Sequence, residues 1–187
     1  MLRYSLAAPA AAMFVLTAWA GVCVVADEPA DKPKVALQIL DWKQTQELVG
    51  RHRGQVVVLD AWSTSCEPCV KEFPHLVKLH RKYGGKSVVC ISMSCDYAGI
   101  KSKPPESYRA RVLGFLEKQG ATFDNVLSNV PSDDLFEQMD LPAIPAVYVY
   151  GRDGKLVKRF DNSDIKSEDD AFTYEDVTRL VEELVAK

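Results

Sequence analysis

Apolar positions along this chain follow two rhythms, and the switches between them predict its elements. Residues 55–62 form a nearly continuous apolar run built on Val56-Val57-Val58-Leu59. Such a run fits a strand covered on both faces. Residues 87–93 read the same way, and shorter strands are expected at 35–40 and 123–127. Between them the apolar spacing becomes helical. Asp41 stands as the cap of a helix over Trp42–Arg51, which Gly54 closes. Phe73, Leu76 and Leu79 mark the inward face of a helix over 68–83. Pro74 is expected to kink that helix, and Gly84-Gly85 to end it. Further helices are expected at 107–119, closed by Gly120, and at 132–139. Two strands, Ala146–Tyr150 and 155–160, flank Gly151-Arg152-Asp153-Gly154, a hairpin signal. An acidic surface loop follows at 161–170. A last helix has one apolar stripe, Val177, Leu180, Val181 and Leu184, behind a capping box of Thr173 and Asp176.

The order is βαβαβ, then a helix, a hairpin and a closing helix. Right-handed crossovers make the first strands parallel, and the hairpin adds antiparallel ones. The expected fold class is α/β, a mixed central β-sheet with helices on both faces. Ligands of such sheets bind beyond the carboxyl ends of the strands.

Composition changes this picture at one end. The 187 residues suffice for one domain with a full core. Residues 1–26 carry a single charge, Arg3, and an uncharged Ala/Val-rich run extends to Ala26. Val24-Val25-Ala26 places small residues before Asp27, as a signal peptidase requires. The run is also long enough, at about 20 residues, to span a bilayer as an N-terminal membrane anchor. Both readings imply export, and cleavage after Ala26 is preferred. The expected organisation is signal peptide or anchor at 1–26, linker at 27–34 and a domain at 35–187, in an extracytoplasmic setting (the periplasm, or a membrane facing it). Without Arg3 the net charge of −3 becomes −4. That balance offers no basis for nucleic-acid binding. Outside the cytoplasm disulfides persist, which gives the cysteines weight.

The chemistry concentrates at Cys66-Glu67-Pro68-Cys69, between the central strand and the helix after it. Two cysteines at this spacing can close and reopen a small disulfide ring. A helix N-terminus offers free N–H groups and the positive end of the dipole, both of which favour a thiolate. A cysteine there can have its pKa lowered from about 8.5 to roughly 3.5–7.5. Cys66 lies nearer the helix tip and is the expected nucleophile. Cys69, one turn in, resolves the mixed disulfide. Pro68 suits the first helical turn. Glu67 lies between the cysteines, where its charge opposes ionisation of the thiols.

Leu59-Asp60-Ala61-Trp62, Cys66-Glu67-Pro68-Cys69 and Lys71-Glu72-Phe73-Pro74 together resemble the thioredoxin-like superfamily, and within it the exported TlpA/ResA-type thiol–disulfide oxidoreductases. Ala143-Ile144-Pro145-Ala146 resembles the cis-proline loop of that fold. The resemblance spans roughly residues 35–185. It implies a cis bond at Ile144-Pro145 and a substrate framed by Trp62, Glu67, Pro68, Ile144 and Pro145. It also implies that Asp60 is a buried acid taking the proton of Cys69, and that Glu72 lines a cavity beside the cysteines. Burial of either acid raises its pKa toward the range of proton exchange at neutral pH. The implied partners are protein thiols and disulfides, such as those of apocytochrome c, and an upstream membrane or periplasmic reductant. Neither a metal nor another cofactor is expected.

Departures from the pattern keep other readings open. Ser65 stands where the family usually has Trp. Cys90, in a strand, reads as a small buried apolar residue. Cys95 lies at the carboxyl end of that strand, as a relay, a second disulfide or a bystander. A zinc site of Cys66, Cys69, Cys90 and Cys95 is disfavoured by the strand position of Cys90. A thiol peroxidase of the redoxin class requires Thr three residues before its cysteine and a Pro before that; Ser63 holds the Thr place and no nearby Pro precedes it. A copper chaperone of the same fold requires a histidine well downstream, whereas the three present are His52, His75 and His80. A redox-inactive binding domain would leave the cysteine pair unexplained.

Overall fold

The centre of the molecule is β2, Val56–Trp62, buried at every position. It is flanked by β3, Val88–Ser94, running parallel, and by β5, Ala146–Tyr150, running antiparallel. The computed structural model of the chain describes residues 34–163 and 171–186, with Met1 and Ser167 besides. The expected signal segment at 1–26, almost all of the linker and part of the 161–170 loop lie outside the described residues. The chain divides into two units, Met1–Lys32 and Pro33–Lys187, and everything below concerns the second.

Among the described residues the remaining elements are β1 (Gln38–Leu40), α1 (Trp42–Arg51), α2 (Glu67–Tyr83), α3 (Arg109–Gln119, entered through a 3-10 turn at Pro105–Tyr108), β4 (Asp124–Ser128), α4 (Ser132–Gln138), β6 (Leu156–Phe160) and α5 (Tyr174–Val185). The sheet has six strands in the order β1-β4-β3-β2-β5-β6. The first four of these pair in parallel, and β5 and β6 are antiparallel additions. This is the mixed α/β sheet that the alternation of elements requires. Its first strand is shorter than the apolar run at 35–40, because only Gln38–Leu40 finds partners, at Val126–Ser128 of β4.

Strand parity decides which side chains meet which helices, because successive strand residues face opposite ways. Val56, Val58 and Trp62 pack with Cys69, Phe73 and Leu76 of α2, Val112 and Leu116 of α3, and Tyr174, Val177 and Val181 of α5. Val57, Leu59 and Ala61 pack on the opposite face with Leu48 and Val49 of α1 and Leu135 of α4. Asp60 shares its parity with Val58 and Trp62, so it stands on the face covered by α2, α3 and α5.

Local chemistry fixes the helix ends. The Asp41 carboxylate accepts from the Gln44 N–H at 2.7 Å, and the Gln44 side chain accepts from the Asp41 N–H at 3.0 Å. Gly120 ends α3 in the left-handed conformation, φ 68°, which glycine enters without Cβ strain. At the start of α5 the Asp176 carboxylate accepts from the Thr173 N–H at 3.0 Å and from its hydroxyl at 2.9 Å.

Candidate active site

The end of β2 delivers the chain into the loop Ser63–Ser65, and α2 begins immediately after. Cys66 is the N-cap of α2 and Glu67 and Pro68 form its first turn. Cys66 and Cys69 are joined in a disulfide, with Cα atoms 5.3 Å apart. The two sulfurs differ in setting. Cys66 is half-buried, whereas Cys69 is buried and packs in the α2-side core. The Cys69 N–H points at Cys66 Sγ, 3.3 Å away. A thiolate formed on Cys66 would thus meet a backbone donor at the positive end of a 17-residue helix.

Opposite the disulfide lies the loop before β5. Its Ile144-Pro145 bond is cis, and the Ile144 carbonyl oxygen is 3.9 Å from Cys66 Sγ. A small pocket of about 210 Å³ opens beside it, lined by Pro142, Ala143, Ile144, Pro145, Asn162 and Ser163. Arg159 of β6 ties this loop down: its guanidinium donates to the Asp140 carbonyl at 2.6 Å and to the Asp161 carboxylate.

The two acids differ. Asp60 is buried, and burial is the first cause that lifts its carboxyl to about 7; the Tyr174 hydroxyl, donating to it, pulls the other way, and the charge of Glu72 adds to the rise. Glu72 is not enclosed. Its side chain is 34% exposed and pairs with His75 Nδ1 at 3.1 Å. It stands on the wall of an open groove of about 830 Å³ between α2 and α5, together with His75, Lys78, Tyr174, Arg179 and others.

One expected site residue is corrected. Trp62 does not border a substrate surface. It is fully buried, with its ring 4.8 Å from Phe73 and 4.7 Å from Phe115, centroid to centroid. Its strand parity turns it into the core beneath α2. Glu67, Pro68, Ile144 and Pro145 remain at or near the surface around Cys66.

The structure adds residues that sequence reasoning missed. Asp96, just past β3, has a fully buried carboxylate. It accepts from the Thr64 N–H at 3.0 Å, the Thr64 hydroxyl, the Ser94 hydroxyl at 2.7 Å and Arg111 Nη2 at 2.6 Å. The loop leading to Cys66 is thereby strapped to the end of β3. Tyr174 is the other, and its bond to Asp60 spans 114 residues. An acid at a strand end was visible for Asp96, but not its partners; Tyr174 gave no signal beyond opening an amphipathic helix. Cys90 and Cys95 are buried free thiols whose pKa values burial pushes well above the usual range. That places them outside exchange chemistry at neutral pH.

A mixed sheet with helices on both faces, a Cys-x-x-Cys disulfide capping the helix after the central strand and a cis-proline loop opposite it define the thioredoxin-like fold. A thiol–disulfide isomerase from Corynebacterium glutamicum has this fold too; it superposes with a TM-score of 0.57 at 16% identity, covering 84% of this chain and 98% of its own. Residues 27–176 match the Redoxin family, and the chain belongs to it. It is similar to the TlpA/ResA-type proteins. The thiol–disulfide oxidoreductase ResA of Bacillus subtilis (strain 168) is 24% identical over 131 residues, 70% of this chain. The chain spans 65% of that protein's length, less than two thirds. ResA of Geobacillus kaustophilus (strain HTA426) is 24% identical over 153 residues, covering 78% of this chain and 81% of the relative.

Proposed function

We propose that this protein is an extracytoplasmic thiol–disulfide oxidoreductase that reduces disulfides of protein substrates. The observation that carries the reading is the asymmetric pair: a half-buried Cys66 at the helix tip, facing the Ile144 carbonyl, with Cys69 buried behind it.

In the dithiol form the Cys66 thiolate attacks one sulfur of a substrate disulfide. A Cys66–substrate S–S bond forms, the substrate's own S–S bond breaks, and the departing sulfur takes up a proton. Cys69 then passes its proton to the Asp60 carboxylate and attacks Cys66 Sγ. The Cys66–Cys69 bond forms, and the second substrate sulfur leaves as a thiolate. Two electrons have moved from the protein to the substrate. A membrane or periplasmic dithiol returns the oxidised form to the starting state. Burial of Asp60 suits it to this proton traffic, since a carboxyl near 7 both accepts and releases a proton at neutral pH. An extended substrate would lie between Glu67-Pro68 and Ile144-Pro145. Glu72, with His75, borders the same helix one turn beyond Cys69. The export assignment rests on residues 1–26.

Reduction of insulin by wild type, Cys66→Ser and Cys69→Ser tests the reading. Cys66→Ser should be inactive, and Cys69→Ser should stall as a mixed disulfide visible by mass spectrometry. An adduct that forms on Cys66→Ser instead would reverse the roles of the two cysteines. A reduction potential nearer that of thioredoxin, about −270 mV, than of the strong oxidant DsbA, about −120 mV, is expected of a reductant. Consumption of hydrogen peroxide without insulin reduction would replace the reading with a thiol peroxidase.

A further inference from the structure

We propose that Tyr174 is the positioning residue for Asp60, holding the carboxylate ready to receive the Cys69 proton. This rests on the exchange reading above. Asp60 stands on the α2-side face of the sheet, between Val58 and Trp62 on its own strand and paired with Val147 of β5, all three of them buried apolar residues. Among the described residues its one side-chain hydrogen bond comes from the Tyr174 hydroxyl. An ionised carboxylate in apolar surroundings is strongly disfavoured unless donors face it. Here one donor does.

The placement of that donor is built in. Tyr174 is the first residue of α5, and Asp176 fixes that helix start through Thr173. The Tyr174 ring is buried and stacks on His75, with centroids 5.8 Å apart and planes 28° apart. His75 in turn bonds Glu72. The hydroxyl is therefore aimed by a capped helix on one side and a stacked ring on the other. Burial and the neighbouring Asp60 push the Tyr174 phenol well above its usual range, so it stays a donor throughout the working pH range.

The groups that face Asp60 are few. Tyr174 comes from α5, Glu72 from α2 and the thiol of Cys90 from β3, while the Cys95 thiol, just past β3, packs on the opposite face of the sheet. The charge of Glu72 opposes ionisation of Asp60, and the buried thiols stay neutral. Tyr174 alone favours the ionised carboxylate. Removing its hydroxyl should move Asp60 upward by about one to two pH units, the worth of a hydrogen bond to a charged group. Resolution by Cys69 at neutral pH then slows about 5- to 50-fold, because fewer molecules hold the carboxylate.

The test is the pH profile of mixed-disulfide resolution in wild type, Tyr174→Phe, Asp60→Asn and the double variant. Tyr174→Phe keeps the ring that stacks on His75. Its profile should rise at higher pH than wild type and regain the wild-type plateau in alkaline solution. In the Asp60→Asn background the same change should have no further effect, since Tyr174 acts through Asp60. A profile that overlays wild type, or one lowered equally at every pH, overturns the proposal. Site-specific 3-fluorotyrosine at 174 supplies a readout with the side chain's shape kept. Its more acidic phenol is the stronger donor, so the profile should move to lower pH, and an unmoved profile overturns the proposal. Wild type that leaves insulin disulfides intact at every pH defeats the exchange reading itself, and that failure is seen before any variant is compared.

Discussion

Folding lifts the Asp60 carboxyl from the ordinary 3.8 to about 7, chiefly through burial. The folded state thus holds this proton more tightly than the unfolded chain does. Below about pH 4 the group is protonated in both states and has no effect on stability relative to a neutral residue. From about 4 to 7 the unfolded chain ionises while the folded protein resists, and the folded state is progressively disfavoured. Above 7 the full penalty applies, about 4 kcal/mol for a rise of some three pH units. Asp60→Asn should accordingly stabilise the oxidised protein at pH 8 by an amount approaching that figure, and leave it nearly unchanged at pH 4. Urea unfolding of both proteins at the two pH values checks this; an equal gain at both would mean that Asp60 does not titrate as described. At this scale the sequence was informative about Asp60, because an acid in an unbroken apolar run stands out. It was misleading about Trp62. In a strand buried on both faces the apolar pattern carries no face label, so Trp62 could be placed at the surface until its parity with Val56 and Val58 was seen to turn it under α2. Tyr174 was invisible because its role depends on a contact between the two ends of the domain.

At the scale of elements, the site depends on how β2 is joined to α2. Asp96 receives four donors, of which two belong to Thr64 in that joint. The Cys95 N–H adds a bond to the Trp62 carbonyl at 2.7 Å, so the end of β3 holds the end of β2 through backbone as well. The partners of Asp96 differ in weight. Arg111 is 56% exposed while the Asp96 carboxylate is buried, so on loss of the guanidinium water can take its place and the other three donors remain, a cost of about 1 kcal/mol or less. The Thr64 N–H and hydroxyl lie on the protein side, and losing their acceptor leaves them without one. Asp96→Ala should destabilise by about 3 kcal/mol, and Arg111→Ala by about 1 or less. Equilibrium unfolding in urea measures both. Equal losses would show that the ion pair, and not the loop strap, is what Asp96 supplies. Most elements were legible because their signals are local. The reciprocal bonds of Asp41 and Gln44 start α1 at Trp42, and Gly120 ends α3. The Asp96 strap joins three segments distant in sequence, and no local pattern announces it. The 3-10 turn at Pro105–Tyr108 was hidden for another reason: a Pro-Pro pair is a common loop signal, whereas here Pro105 opens the turn.

For the whole molecule, the question is where the working protein begins. Among the described residues, six strands and five α-helices lie between Gln38 and Val185, with helices on both faces of the sheet. No helix among the described residues is long and apolar enough to cross a membrane. The first 26 residues have the opposite character, one charge and a long apolar run that ends in small residues. We propose that this segment serves export, either as a cleaved leader or as an anchor. We expect cleavage after Ala26. Mass spectrometry of the exported protein should then find Asp27 at its N-terminus, in the soluble fraction. A chain made to start at Asp27 should unfold at the same urea concentration and reduce insulin at the same rate as the full-length protein. The motive is that the Cys66–Cys69 pair, Asp60, Tyr174 and the cis-proline loop are all held by elements from β2 onward. Intact Met1 in a membrane fraction would replace the leader with an anchor and leave the exchange chemistry as described. Loss of stability or rate in the shortened chain would mean that residues 1–26 belong to the working domain, and the export reading would then fall.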